Sequence, residues 1–444
     1  MKGRVLIGEL SAHVGETVTI CGWVDVRRDQ GKLVFFDFRD RSGKVQGVVL
    51  PGSAATDTAK ESRTEYVVSV EGIVNKRPEK NIQSDKQNGD IELEITGMTV
   101  LSAAHEIPFD KDAELTLETR LDNRPYTLRS QRDRDIFAVQ ATILNAYRNS
   151  LRRQGLLEFV APALVGGDAE GGAAVFKVEY FNDQTAFLAT SPQLYKQIMV
   201  GAFERVFTIA KIFRAEKSAT TRHLSELTQM DFEMGFINDE LDVMAVLETV
   251  IRDVVKEVAD THAAEFARLG AEVPLVGEKF PILTLREAHE TLGVTPEDDM
   301  TPEHERAICE WAQKEHGCDF VFITKFPTDA RAFYTMGTPG GESRGFDLLF
   351  RGLEINSGAQ RIHDYDEMVE RIKSRGMDPE KFQFYLQAFK YGMPPHGGCS
   401  TGLERFTGRM LGLANVKEAV GFPRDMNRID TLLSATPADS EESV

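Results

Sequence analysis

The chain has 444 residues, 41% hydrophobic and 27% charged, with a net charge of −18. That length exceeds one hydrophobic core and predicts two or three domains. No apolar run reaches the roughly 18–20 residues of a membrane helix, and the acidic balance argues against broad nucleic-acid binding while leaving room for a local basic face.

The N-terminus, MKGRVLIGEL, shows no apolar core with a small-residue cleavage site, so no signal peptide is expected. Residues 1–104 read as all-β. Strands are predicted at 18–24, 33–39, 45–50, 66–74 and 91–101, rich in Val, Ile, Thr and Phe and separated by turn residues. Five such strands fit an OB-type barrel, a fold that often binds oligonucleotides. The pattern alone fits a small barrel without a ligand equally well. Arg27, Arg28, Lys32, Arg39, Arg41 and Lys44 interleave with Phe35, Phe36 and Phe38, a mixture suited to stacking and clamping single-stranded bases. Period 2 puts Phe36 and Phe38 on one face and Phe35 on the other, so Phe35 is expected to be exposed.

Residues 105–134 lack periodicity and read as a hinge. Over 135–151 apolar residues recur at helical spacing, and Gly155 suits a C′ position. Strands follow at 186–189, 206–214 and 228–236, then a helix at 241–263 and an α/β segment at 270–330. Segments 348–355 and 397–405 flank a helix at 380–390. Residues 135–433 thus predict an α+β domain whose antiparallel sheet is flanked by helices. The tail 434–444, SATPADSEESV, is small, polar and acidic and is expected to be disordered. The four cysteines, Cys21, Cys309, Cys318 and Cys399, lack zinc-ligand spacing and suit a reducing, cytoplasmic compartment.

Four stretches carry possible chemistry. LATSPQLYKQIMV is largely apolar yet contains Lys196, and a buried lysine needs an anionic partner. FRAEKSATTRH places Arg214, Arg222 and His223 around one loop; arginine suits bidentate phosphate contact, although a charged hairpin tip reads the same way. FDLLFRGLEINSGAQRIH sets Asp347 and Glu354 seven residues apart. On one bulged strand limb both would face one cleft and suit Mg²⁺ with substrate phosphates. GGCSTGLERFTGRML offers glycines for close ligand approach and Arg405, but no P-loop spacing.

Together these strings resemble the class II aminoacyl-tRNA synthetases of subclass b. The helix at 135–151 leading to Pro162 resembles motif 1, FRAE-loop-RH…TQMDFEM motif 2, and GLERF motif 3. RLDNR, EGG, SPQLYKQ, IFRAE, RGLEINSGAQRIH, YGMPPHGG and FPRD resemble the compact archaeal/eukaryotic-type aspartyl-tRNA synthetases. The resemblance runs from residue 1 to about residue 430. It implies an anticodon-binding barrel, ATP-dependent formation of aspartyl-adenylate, and transfer to tRNA-Asp, with tRNA-Asn as a further acceptor in relaxed members.

By this resemblance Lys196 and Arg361 hold the substrate's side-chain carboxylate. Ser191 and Gln193 line the amino-acid pocket, and Glu170 and Asp231 receive the α-ammonium. Arg214 contacts the α-phosphate, and Glu216 lies near the adenine or the tRNA end. Arg222, His223 and Arg405 hold the remaining phosphates or the base. Asp347, Glu354 and Ser357 hold Mg²⁺. Arg214, Arg405 and Glu354 carry catalysis, without an obligatory general base. In the barrel Phe35 stacks on an anticodon base while Arg28 and Gln46 read or clamp it. The position after GWV, here Asp25, and the loop at 76–90 set the range of tRNAs. Motif 1 implies a homodimer. An enzyme charging tRNA-Asn implies an amidotransferase downstream. The rival readings are an asparaginyl-tRNA synthetase, which must accept a neutral amide beside Lys196, and a paralogue that no longer charges tRNA.

Overall fold

The computed structural model describes residues 3–84, 86–167, 174–217 and 220–429. Glu170 and the tail 434–444 lie outside the described residues. The chain divides into two compact units, Met1–Asp110 and Lys111–Val444.

In the first unit five strands close a barrel in the order β1-β2-β3-β5-β4. They are β1 Thr17–Asp29, β2 Val34–Arg39, β3 Lys44–Val49, β4 Val67–Lys76 and β5 Ile91–Ser102. Alternation decides what fills it. Phe36 and Phe38 are fully buried and stack with ring centroids 5.3 Å apart. Phe35 stays half-buried on the other face.

A bulge interrupts β1 between Val24 and Val26, and bulges re-aim side chains. Asp25 is buried, 2.8 Å from Lys44 Nζ and 3.5 Å from Arg39 Nε. Arg39, also buried, donates to both Glu65 oxygens at 2.8 and 2.7 Å. Two expectations are corrected here. Asp25 belongs to a buried ion-pair cluster and not to an exposed reading face, and Arg39 is not part of an exposed basic patch.

In the second unit the segment expected as a hinge is helical over much of its length from residue 117 onward. It forms helices Leu117–Asp122 and Arg124–Thr127. Buried Arg124 bonds Asp133 at 2.8 Å and donates to the carbonyls of Val420 and Gly421. The following helix, Gln131–Arg153, begins earlier than its apolar spacing predicts. Ser130 is its N-cap, accepting from the Asp133 amide, a start signal present in the sequence. It ends as expected at Gly155, whose φ is +81°.

Short strands β6 Leu157–Glu158, β7 Leu164–Val165, β8 Lys177–Tyr180 and β9 Gln184–Leu188 follow. The remaining strands are β10 Arg205–Phe213, β11 Glu226–Gly235, β12 Ile282–Thr284, β13 Phe320–Thr324, β14 Gly345–Phe350, β15 Glu354–Gln360 and β16 His396–Gly402. An eight-stranded sheet runs β12-β13-β14-β15-β16-β11-β10-β6. It is antiparallel from β13 to β10 and parallel at both edges, β12 with β13 and β6 with β10.

One face of this sheet packs on helices Gln131–Arg153 and Glu240–Thr261. Met230, Phe232 and Met234 of β11 and Cys399 of β16 join Val139, Ile143, Leu247 and Val254 in that core. The other face carries polar residues in register. Asp347 pairs with Ser357, Ser357 with Ser400, and Ser400 with Asp231. Four strands therefore present one transverse polar row.

Gly358 faces the core between Phe346 and Cys399. An added Cβ would stand 2.3 Å from Phe346 Cζ and 2.6 Å from Cys399 Cβ. Gly358→Ala is expected to destabilise the protein by about 2 kcal/mol through overpacking, measured as a lower urea midpoint.

Candidate active site

The polar row borders a cleft of about 190 Å³ lined by Arg214, Glu216, Arg222, His223, Glu354, Ser357 and Arg405, among others. All the residues expected at the nucleotide therefore share one cavity. Arg214 follows β10 directly, its amide bonded to the Ser225 carbonyl at 2.9 Å. Arg222 Nη1 donates to Glu305 at 3.1 Å. His223 Nε2 lies 3.7 Å from Glu216. Arg405, on helix Leu403–Met410, is 3.6 Å from the Glu354 carboxylate and donates to the Glu354 carbonyl at 3.2 Å.

Asp347 and Glu354 do not share one strand limb. A turn at Arg351 and Gly352, both at positive φ, folds the segment into the β14–β15 hairpin. Asp347 then lies opposite Ser357, with Glu354 at the start of β15. Burial, and then the charge of Asp347, push the Glu354 carboxyl up to about 7. Arg331, which the sequence did not single out, donates to both Asp347 oxygens at 3.0 and 2.7 Å and to Ser357 Oγ at 3.2 Å. Its guanidinium lies 3.6 Å from the Phe326 ring centroid. Among the described residues no three His, Cys, Asp or Glu side chains form a metal cage. The oxygen donors Asp347, Glu354 and Ser357 fit a hard cation that phosphate oxygens also help to hold.

Lys196 lies in helix Gln193–Phe203 and is 1% exposed. Its ammonium is 2.9 Å from Asp231 and 3.3 Å from Glu233, and it donates to the Cys399 carbonyl at 3.2 Å. Arg361 donates from Nε to Glu233 at 2.9 Å and from Nη2 to the Gly398 carbonyl at 2.8 Å. Asp231, expected to meet an ammonium of the substrate, bonds the lysine's ammonium through one oxygen, and Ser400 Oγ donates to the other at 2.7 Å.

Glu233 was missed by sequence reading. Burial would raise its carboxyl, but Arg361 and Lys196 outweigh that and hold it below the usual range. A signal existed. In QMDFEM, Met230 and Phe232 point to the core, so Gln229, Asp231 and Glu233 share the opposite face. Gly398 makes room for it, since a Cβ there would stand 2.2 Å from Glu233 Oε2.

Behind this cluster runs an uncharged network. Ser191 Oγ accepts from the Gln193 amide at 3.2 Å. Gln193 Nε2 and the Tyr385 hydroxyl donate to Gln197 Oε1 at 2.9 and 3.1 Å. That orients the Gln197 amide nitrogen toward His396 Nε2, 2.9 Å away. His396 Nδ1 faces the Pro394 carbonyl at 2.9 Å, so Nδ1 carries the proton and the ring is neutral.

The barrel has its own concavity, about 510 Å³, lined by Phe35, Gln46, Arg77, Lys80, Gln83 and Glu92 among others. Arg28 is clamped by two 2.9 Å bonds to Asp37 and reaches Gln46 at 3.5 Å.

Family comparison agrees with both units. Residues 116–426 match the family model of tRNA synthetases class II (D, K and N). The chain belongs to this family. Residues 18–101 match an OB-fold nucleic acid binding domain. An aspartate–tRNA(Asp/Asn) ligase of Thermus thermophilus is 43% identical over 435 residues, covering 96% of this chain and 99% of that protein. The crystal structure of a putative aspartyl-tRNA synthetase from Leishmania major Friedlin matches with a TM-score of 0.88 at 30% identity, covering 96% of this chain and 95% of that one. An asparaginyl-tRNA synthetase of Pyrococcus horikoshii, complexed with asparaginyl-adenylate, also scores 0.88, at 31% identity, covering 97% of this chain and 100% of that one. Within the class II synthetases, the backbone alone therefore does not separate the two amino acids.

Burial lowers His396 from an ordinary 6.5 to about 4. Between those values the unfolded chain binds more protons, so stability falls as pH drops through this window. Wild type is expected to lose on the order of 3 kcal/mol from this group between pH 6.5 and 4. Urea unfolding across that range checks it: His396→Gln should show a correspondingly shallower decline.

Proposed function

We propose that this class II synthetase is an aspartate–tRNA ligase, activating L-aspartate with ATP and transferring it to tRNA. The observation that carries this reading is the buried pairing of Lys196 and Arg361 beside the arginine-lined cleft. Two fully buried cations on one side of a pocket suit an anionic side chain. An amide presents an N–H₂ that would oppose their N–H donors, and unmatched buried donors are costly.

In this reading the aspartate α-carboxylate attacks the α-phosphorus of ATP in the cleft and pyrophosphate leaves. A 3′-terminal ribose hydroxyl of tRNA then attacks the acyl carbon and AMP leaves. Arg214 holds the α-phosphate, while Arg222, His223 and Arg405 take the remaining phosphates or the base. Glu216 lies toward the adenine or the tRNA end. Catalysis is positioning and charge stabilisation by groups already in place. Mg²⁺ held by Asp347, Glu354 and Ser357 would neutralise phosphate charge. Glu170 is read as a partner of the α-ammonium from the family pattern alone.

In the barrel, Phe35 offers a stacking face for an anticodon base and Gln46 an amide to read it, with Arg28 as their brace. Asp25 lies in the buried cluster, so the loop side chains Arg77, Lys80 and Gln83 are left to judge the remaining base. We read the range as relaxed, covering tRNA-Asp and tRNA-Asn. The aspartyl product on tRNA-Asn then requires an amidotransferase.

A homodimer through the motif 1 region covers apolar side chains that are exposed in the single chain, including Leu157, Val160 and Phe181. A cytoplasmic location is supported by four free, buried cysteines. No helix among the described residues is long and apolar enough to cross a membrane.

Aminoacylation of pure tRNA-Asp and tRNA-Asn transcripts with labelled aspartate tests the reading, with labelled asparagine as the control. Aspartate is expected on both transcripts; asparagine transfer would overturn the assignment of the pocket. Lys196→Met is expected to abolish aspartate-dependent pyrophosphate exchange while leaving ATP and tRNA binding intact, measured by calorimetry and filter binding.

A further inference from the structure

The segment between β11 and β14, which supplies Arg331, contributes a second side chain to the cleft's electrostatics. Glu305 stands in the first turn of helix Pro302–His316 and is buried. It does not line the cleft, whereas Arg222 does. Arg222 sits in the loop between β10 and β11, where no strand register fixes its side chain. Glu305 accepts from a single guanidinium nitrogen, Nη1, at 3.1 Å. That bond grips one edge of the fork and leaves the others for a ligand.

The surroundings require an anion here. Arg409 is pushed down by burial and then by the charge of Arg222. Burial raises the Glu305 carboxyl above its ordinary value, a rise that Arg222 and Arg405 only partly offset. Glu305 thus feels the charges of Arg222 and Arg405, and it offsets the repulsion between Arg222 and Arg409.

We propose that Glu305 is a positioning residue of the nucleotide site, holding Arg222 from behind so that its free edge faces the triphosphate. This rests on the reading of the cleft as the ATP site. Glu305 touches no reacting atom; it acts through Arg222.

The test is pyrophosphate exchange with the full-length protein, following KM for ATP and for aspartate separately. Glu305→Ala is expected to raise KM for ATP roughly tenfold, the scale of one lost charge-assisted hydrogen bond, with KM for aspartate unchanged. Glu305→Asp should recover part of the loss. Arg222→Ala should match Glu305→Ala, and the double variant should be no worse than either single one. Thermal unfolding of each variant separates a purely structural role. A lower midpoint with an unchanged KM for ATP overturns the proposal, as does strict additivity in the double variant. If Glu305→Ala does not fold, Glu305→Gln keeps the shape and reads the same KM. An unchanged KM for ATP in Arg222→Ala would instead overturn the nucleotide reading of the cleft, and the proposal with it.

Discussion

Lys196 and Arg361 are cations kept almost entirely out of water, and that is possible only because Asp231 and Glu233 stand beside them. Removing one member of such a group leaves an uncompensated buried charge, at a cost of about 3–5 kcal/mol. The surrounding architecture serves this requirement. β11 alternates so that its apolar side chains fill the core while its polar ones form the opposite face. β16 supplies a glycine where Glu233 needs space and a serine where Asp231 needs a donor. Helix Gln193–Phe203 carries the lysine in, and the Gln193–Gln197–His396 chain completes the polar surroundings without adding charge.

The cleft beside it uses the same device at higher exposure. Arg222 is paired with Glu305, Arg405 with Glu354, and Arg331 with Asp347. The Arg222 and Arg405 side chains retain 26% and 30% of their exposure, against 1% for Lys196. The buried pair is strong, so a wrong side chain there is expensive. On the proposed reading the looser pairs face the nucleotide and the tight pair faces the amino acid that must be told from its amide.

How far the sequence foretold this varied with the range of the interactions. The barrel strands were legible because composition and turn residues are local signals. The start of helix Gln131–Arg153 is marked by Ser130, which lies outside the apolar period and so outside the span that the period predicts. The hairpin at 346–363 was mistaken for one limb because its turn residues interrupt an otherwise continuous apolar run. Arg39 read as part of a basic patch because alternation says which residues share a face, not which face is inside, and the bulge beside Asp25 shifts even that. Glu305 and Arg331 were beyond reach. Their partners lie 83 and 16 residues away, and nothing local marks a carboxylate or an arginine as one half of a distant pair.

Selectivity cannot reside in the fold, since an asparaginyl enzyme and a putative aspartyl enzyme overlay this chain equally well. Nor can it reside in the net charge of the buried cluster. Lys196 and Arg361 offset Asp231 and Glu233, two against two, so the cluster is neutral before any substrate arrives. What remains is direction. The two acids meet the lysine's ammonium and the Nε–Nη2 edge of Arg361, and on the proposed reading the remaining N–H donors of both cations face the substrate. A carboxylate offers only acceptors to those donors. An amide offers one acceptor and one donor, and the donor has no partner to meet. On the proposed reading, a neutral cluster discriminates through the orientation of its hydrogen-bond donors, and its internal anions then matter as much as its cations.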